Sequence, residues 1–178
     1  MLMHIRLGTV LVFITLLLCT ACSKFDRSKI KMPKFDFVTS ENVHSIAYID
    51  REHIWISGNY GVICFSSDGG QTWEKQQSGV ADLLLGSIRF VSRTEGWAAG
   101  MAGTMIHTAD GGKTWQPQQS GTDKDLLDLF MFDAQHGWAV GEMGTVIHTS
   151  DGGKTWVSQL EPQDAIYSSV FFVSPQQG

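Results

Sequence analysis

The chain has 178 residues, 43% hydrophobic and 17% charged, with 19 glycines, 6 tryptophans and only 4 prolines. A hydrophobic share of that size excludes wholesale disorder, and the length suits one domain with a sizeable core. The formal net charge of −5 leaves no positive excess for phosphates and argues against a nucleic-acid binder.

Residues 1–21 read as an export signal. His4 and Arg6 form a short polar start, an apolar run follows from Leu7 to Leu18, and Cys19-Thr20-Ala21-Cys22 closes the segment. The run is too short for a bilayer core of about 30 Å, which takes about 20 residues, and suits the apolar region of a signal peptide. Ala21 immediately before Cys22 resembles the lipobox of bacterial lipoproteins, with Cys19 where that motif usually has leucine. The resemblance implies that Cys22 is acylated and becomes the new N-terminus, attaching the chain to a lipid bilayer. The alternative is an ordinary secretory signal in which Cys22 is incidental. With Cys19 removed and Cys22 lipidated, only Cys64 remains, and no intramolecular disulfide is possible.

Residues 22–40 form a basic stretch. From Ser23 to Lys34 five basic residues face one acid, whereas from Phe35 onward 7 Lys+Arg stand against 17 Asp+Glu, a net −10. The stretch reads either as a tether that lies on anionic head groups or as a merely solvated linker.

Residues 41–178 repeat. SSDGGQTW from Ser66, TADGGKTW from Thr108 and TSDGGKTW from Thr149 place Asp68, Asp110 and Asp151 at spacings of 42 and 41 residues. Upstream, HIWISGNYGVICF, EGWAAGMAGTMIH and HGWAVGEMGTVIH align without gaps, each preceded by a further strand: SIAYI, SIRFV and DLFMF. Units therefore fall at about 43–79, 85–121 and 126–162, with the start of another at 166–178, where SVFFV matches DLFMF. In the first unit, strands are expected near Ser45–Ile49, Trp55–Gly58, Val62–Ser66 and Thr72–Gln76. The Gly-x-x-Gly pairs, such as Gly58 and Gly61, mark a central hairpin where positive φ favours glycine. Four short strands in about 41 residues is the size of a β-propeller blade. The fold expected is all-β, about three four-stranded antiparallel blades plus the first strand of a fourth.

Each octapeptide is turn chemistry. The aspartate accepts backbone N–H groups just downstream, the glycines take unusual dihedrals, and the threonine and tryptophan lead back to a strand. The positions carrying this role are Asp68, Gly70, Thr72 and Trp73; Asp110, Gly112, Thr114 and Trp115; and Asp151, Gly153, Thr155 and Trp156. The octapeptide matches the Asp-box, or BNR repeat, of sialidases and other propellers. The fuller pattern, G-W-x-x-G-x-x-G-T-x-x-H-T-x-D-G-G-K-T-W, resembles the photosystem II stability and assembly factor family, whose members are seven-bladed propellers.

That resemblance implies a non-catalytic, exported and lipid-anchored module that binds and stabilises protein partners at a membrane, in the cell envelope or on the lumen side of a thylakoid. In a photosynthetic host the partners would be early photosystem II intermediates. It also implies a basic patch for the partner, for which Arg51, Arg89 and Arg93 are the candidates. The alternative is a sialidase-like glycoside hydrolase or a carbohydrate-binding surface propeller. A seven-bladed member needs roughly 320 residues at this repeat length, so the sequence is expected to be a fragment, or else a half-propeller completed by another chain. No cofactor and no metal site is expected. His107 and His148 stand where the first unit has Phe65, which favours packing over ligation, and Cys64 aligns with Ile106 and Ile147 as a buried apolar side chain.

Overall fold

The computed structural model describes residues 42–174 and 177–178. The expected signal segment and the whole basic stretch, Cys22 included, lie outside them. Among the described residues, twelve strands form three separate four-stranded sheets. Blade 1 is β1 (Val43–Tyr48), β2 (Ile54–Gly58), β3 (Ile63–Ser66) and β4 (Glu74–Gln76). Blade 2 is β5 (Leu85–Phe90), β6 (Gly96–Gly100), β7 (Met105–Thr108) and β8 (Gln116–Pro117). Blade 3 is β9 (Leu126–Met131), β10 (Gly137–Gly141), β11 (Val146–Thr149) and β12 (Val157–Ser158). Every pairing is antiparallel and joins chain neighbours, so each blade is a simple meander.

Burial explains the sequence of each strand. The second strands, β6 and β10, are buried at all five residues, because both faces are covered: β6 by blades 1 and 3, β10 by blade 2 and the segment beyond blade 3. They accordingly carry Gly, Trp, Ala and Val with no charge. The outermost strands β8 and β12 are short and exposed, which keeps the free sheet edge small. The core thus lies between blades. Ala47, Trp55 and Ile63 of blade 1 pack on Leu85, Ile88, Ala98, Ile106 and Trp115 of blade 2. Trp97, Ala99 and Met105 of blade 2 pack on Leu126, Leu129, Met131, Ala139, Ile147 and Trp156 of blade 3.

The strands of the first unit fall within two residues of the expected positions, with one instructive difference. Thr72 and Trp73 belong to the turn, not to β4, because the Thr72 N–H and hydroxyl are both bound by Asp68. The glycine pairs also divide their work. Gly103, at φ +67, supplies the left-handed turn residue. Gly100 is extended, and its role is space: a Cβ there would lie 1.9 Å from the Leu84 carbonyl oxygen. The residue before each left-handed glycine, Tyr60, Ala102 or Met143, also has positive φ, so three non-glycine side chains share one strained turn position.

Beyond blade 3, Ser169–Phe172 takes the inner-strand place of a fourth blade without ladder pairing. Phe172 stacks on Trp138 with ring centroids 3.7 Å apart, as Phe90 stacks on Trp55 at 3.9 Å.

Candidate functional site

The three Asp-box turns are built alike. In blade 2, Asp110 Oδ1 accepts the Thr114 N–H at 2.9 Å and the Thr108 hydroxyl at 2.8 Å, and Oδ2 accepts the Thr114 hydroxyl at 2.7 Å. Thr108 Oγ1 in turn accepts the Gly112 N–H at 2.8 Å. Asp68 and Asp151 repeat the set, with Ser66 and Thr149 as the strand-end hydroxyls. These donors hold the Asp68, Asp110 and Asp151 carboxyls down to about 2, the Thr72 and Thr114 backbone N–H groups and the Thr155 hydroxyl being the leading causes. Oxygens so occupied serve the fold.

Their acid dependence has a definite sign. Each folded carboxyl titrates below its unfolded counterpart near 3.8, so the unfolded chain binds more protons as pH falls. The stabilisation is complete above about pH 4 and is lost as pH falls towards 2. Denaturant midpoints measured across that range should drop steeply, and Asp110→Asn should flatten the drop while lowering the midpoint at neutral pH. A midpoint that is level between pH 4 and 2 would defeat this reading.

The turns also lock neighbouring blades, through a glutamine that the motif does not include. Gln76 Nε2 and Trp55 Nε1 of blade 1 both donate to the Gly111 carbonyl of blade 2, at 2.9 and 3.2 Å. Trp115 Nε1 donates back to Gln76 Oε1 at 3.3 Å. Gln118, Trp97, Gly152 and Trp156 repeat this between blades 2 and 3 at 3.0, 3.1 and 3.4 Å. A Cβ on Gly112 would lie 1.9 Å from Gln76 Oε1, so glycine is required for the lock to close. The sequence signal for it was present: Gln76, Gln118 and Gln159 each follow the box tryptophan by three residues.

A second inter-blade contact lies on the inner strands. The Ser45 hydroxyl of blade 1 accepts the Ile88 N–H of blade 2 at 3.2 Å, and Ser87 accepts the Leu129 N–H of blade 3 at 3.2 Å. Blade 3 has Asp128 at this position. Its buried carboxylate accepts the Ser87 hydroxyl at 3.0 Å, Arg89 Nη2 at 3.2 Å, the Ser169 hydroxyl at 3.1 Å and the Val170 N–H at 3.0 Å.

The three candidate arginines are therefore placed differently. Arg89 stands between blades on Asp128. Arg93, in the turn between β5 and β6, reaches Asp50 in the equivalent turn of blade 1, with Nη2 2.8 Å from Oδ2. Arg51, in that blade 1 turn, is exposed. Arg51 and Arg93 share the rim of the Asp-boxes, since the Gly69 and Gly111 N–H groups donate to the Glu52 and Thr94 carbonyls at 3.0 and 2.9 Å. The His53 ring and the Glu52 N–H are the leading causes that hold Asp50 well below the usual carboxylate range. On the opposite rim a groove of about 990 Å³ runs between blades 2 and 3, lined by Ser120, Thr122, Lys124, Met143, Trp156 and Leu160.

The rings of Phe65, His107 and His148 lie tilted on Trp55, Trp97 and Trp138, each pair of centroids 4.7 Å apart. Cys64 is buried in β3 opposite Ile56. Among the described residues, no three His, Cys, Asp or Glu side chains converge as a metal-binding group.

The family model described as "Photosynthesis system II assembly factor YCF48" matches residues 25–120 and 114–174. Among solved structures, "YCF48 bound to D1 peptide" matches with a TM-score of 0.64 and 24% identity, over 76% of this chain and 49% of that one. YCF48 from Cyanidioschyzon merolae matches with a TM-score of 0.58 and 22% identity, over 68% of this chain and 41% of that one. An ancestral GH74 enzyme matches with a TM-score of 0.53 and 16% identity, over 64% and 18%. These structural likenesses are likenesses of fold, and the chain spans about half the length of the YCF48 structures or less. No curated protein matches the sequence.

Proposed function

Since the chain belongs to the photosynthesis system II assembly factor YCF48 family, we propose that it is a non-catalytic propeller module that binds a protein segment and stabilises it at a membrane. The observation that carries this reading is the family match across all three blades, beside a structural relative with a bound D1 peptide. The geometry is in keeping with it. The Asp-box carboxylates are occupied by their own turns, and the blades form a rigid platform whose rims carry the variable side chains. The likeness to GH74 enzymes is a likeness of fold.

In this reading the partner contact is the Asp-box rim at Arg51 and Arg93, with Arg89 supporting it from between the blades. Titrating a D1-derived peptide onto the immobilised chain tests it. Binding should weaken in Arg51→Glu by about five- to thirtyfold, the 1–2 kcal/mol expected for a lost charged contact, and further in the Arg51→Glu/Arg93→Glu double variant. Unchanged affinity in the double variant would remove the arginines from the contact, and a peptide that does not bind the parent would remove the D1 assignment.

Attachment through Cys22 belongs to the same proposal, supported by the apolar run Leu7–Leu18 and Ala21-Cys22. Expressed with its own leader, the parent should sediment with membranes and Cys22→Ser should appear in the soluble fraction. Equal partitioning of the two would dismiss the anchor.

A further inference from the structure

In blades 1 and 2 the residue just before the second strand meets the ring at the middle of the third. In blade 1 these are His53 and Phe65, with ring centroids 6.0 Å apart. In blade 2 they are Glu95 and His107, with Oε2 2.8 Å from Nε2. Blade 3 has the same register, Gly137 opposite Thr149 as Gly96 is opposite Thr108, and places His136 and His148 in this diagonal. A position that holds a carboxylate against histidine in one blade thus holds a second imidazole in the next.

We propose that the His136–His148 pair is an acid-sensitive release in blade 3: protonation sets like charges at two diagonal positions of the β10–β11 hairpin, His148 over the Trp138 ring, and loosens that hairpin with its Asp-box turn. The Glu95–His107 pair, with its opposite charges, keeps blade 2 closed under the same conditions.

The groups around the pair agree. His136 Nδ1 lies 3.0 Å from Asp133 Oδ2 and 3.1 Å from Oδ1, which fixes that ring and turns its other nitrogen away from the carboxylate. Burial raises the Asp133 carboxyl, but the His136 and Gln135 N–H groups and the His136 ring outweigh it and hold it low. His148 faces Trp138 on β10 and Val157 on β12, neither of them charged. The Asp-box turn brings Asp151, bound by Thr149 and Thr155, and Lys154, whose charge acts on Asp151. Among the described residues no carboxylate is paired with His148. Burial, and then the charge of His136, hold the His148 ring below its ordinary 6.5.

The sign follows. A histidine lowered in the fold takes up protons more readily when the hairpin is open, so closure is complete above about pH 6.5 and weakens below it. Each unit of lowering is worth at most about a tenfold change in the open population. That window is separate from the Asp-box window below pH 4.

Histidine NMR titration together with amide-exchange protection of β7 and β11, from about pH 7 to 5, tests the proposal. In the parent, His148 should titrate below 6.5 and β11 protection should fall about tenfold for each unit of that lowering, while β7 holds. His136→Glu should raise the His148 midpoint and abolish the fall. His148→Phe, which copies Phe65 of blade 1, should abolish it with the fold retained, and Glu95→His should transfer it to β7. A His148 midpoint at or above 6.5, or a fall in β11 that persists in both His136→Glu and His148→Phe, would overturn the proposal.

Discussion

Replacing Asp128 by alanine should lower the unfolding free energy by about 2–4 kcal/mol, the cost of leaving a half-buried guanidinium and a backbone N–H without their acceptor. The expectation rests on what the carboxylate holds together. Its two oxygens accept from Ser87 and Arg89 of blade 2, and from Ser169 and Val170 of the segment beyond blade 3. Truncation leaves the half-buried Arg89 guanidinium without its counter-charge and the Val170 N–H without an acceptor. The repeat itself supplies the controls. Position 128 corresponds to Ser45 and Ser87, and position 89 corresponds to Ala47 in blade 1. Asp128→Ser restores a hydroxyl acceptor but strands Arg89, so it should fall between parent and alanine variant. Adding Arg89→Ala to Asp128→Ser recreates the blade 1 arrangement and should recover most of the loss. Urea midpoints at neutral pH decide the matter. If the double variant is no more stable than Asp128→Ser alone, Arg89 and Asp128 are not coupled and the account fails.

That cluster also marks where sequence reasoning ends. The blades were legible because their signals are local and repeated: turn glycines, Asp-Gly-Gly and a tryptophan in fixed register, three times over. The placing of Thr72 and Trp73 in a strand failed by two residues, since the pull of Asp68 on the Thr72 N–H outlasts the return to extended backbone. What could not be read was which side chains meet across blades. Arg89 and Asp128 are 39 residues apart, and nothing in SIRFV or DLFMF says that their third and first residues face one another. An exposed arginine and a paired one look alike in a sequence. Here Arg51 is exposed, Arg93 is bridged to Asp50, and Arg89 is spent between blades. The glutamine lock was legible in principle, since Gln76 and Gln118 recur at the blade spacing. Recurrence marks a role, however, and only the fold reveals that the role is to receive the Trp115 and Trp156 indole N–H groups.

Trp97→Ala should cost about 3–5 kcal/mol, the range for a large aromatic truncated in a core that cannot collapse around the hole. Trp97 is 0% exposed and packs among Ala99, Met105, Leu129 and Met131, with His107 over its face at 4.7 Å. Its indole N–H donates to the Gly152 carbonyl at 3.1 Å, so the ring joins blades 2 and 3 by packing and by polarity together. Trp97→Phe keeps most of the apolar contact and should lose about 1 kcal/mol, the net worth of that hydrogen bond, because Gln118 still serves Gly152. Trp138→Ala should cost less than Trp97→Ala, since Trp138 is 6% exposed and rests on Phe172 of a segment that has no ladder pairing. Blades contact only their neighbours, so the loss at Trp97 falls on one interface. The consequence is qualitative as well as numerical: blade 3 should uncouple, giving a broadened or two-step denaturant transition where Trp97→Phe keeps a single one. A Trp97→Ala protein that unfolds in one step at the parent's midpoint would mean that the tryptophan is not what fastens these blades. The glutamine lock and the inner-strand contact at Asp128 would then have to carry the interface alone.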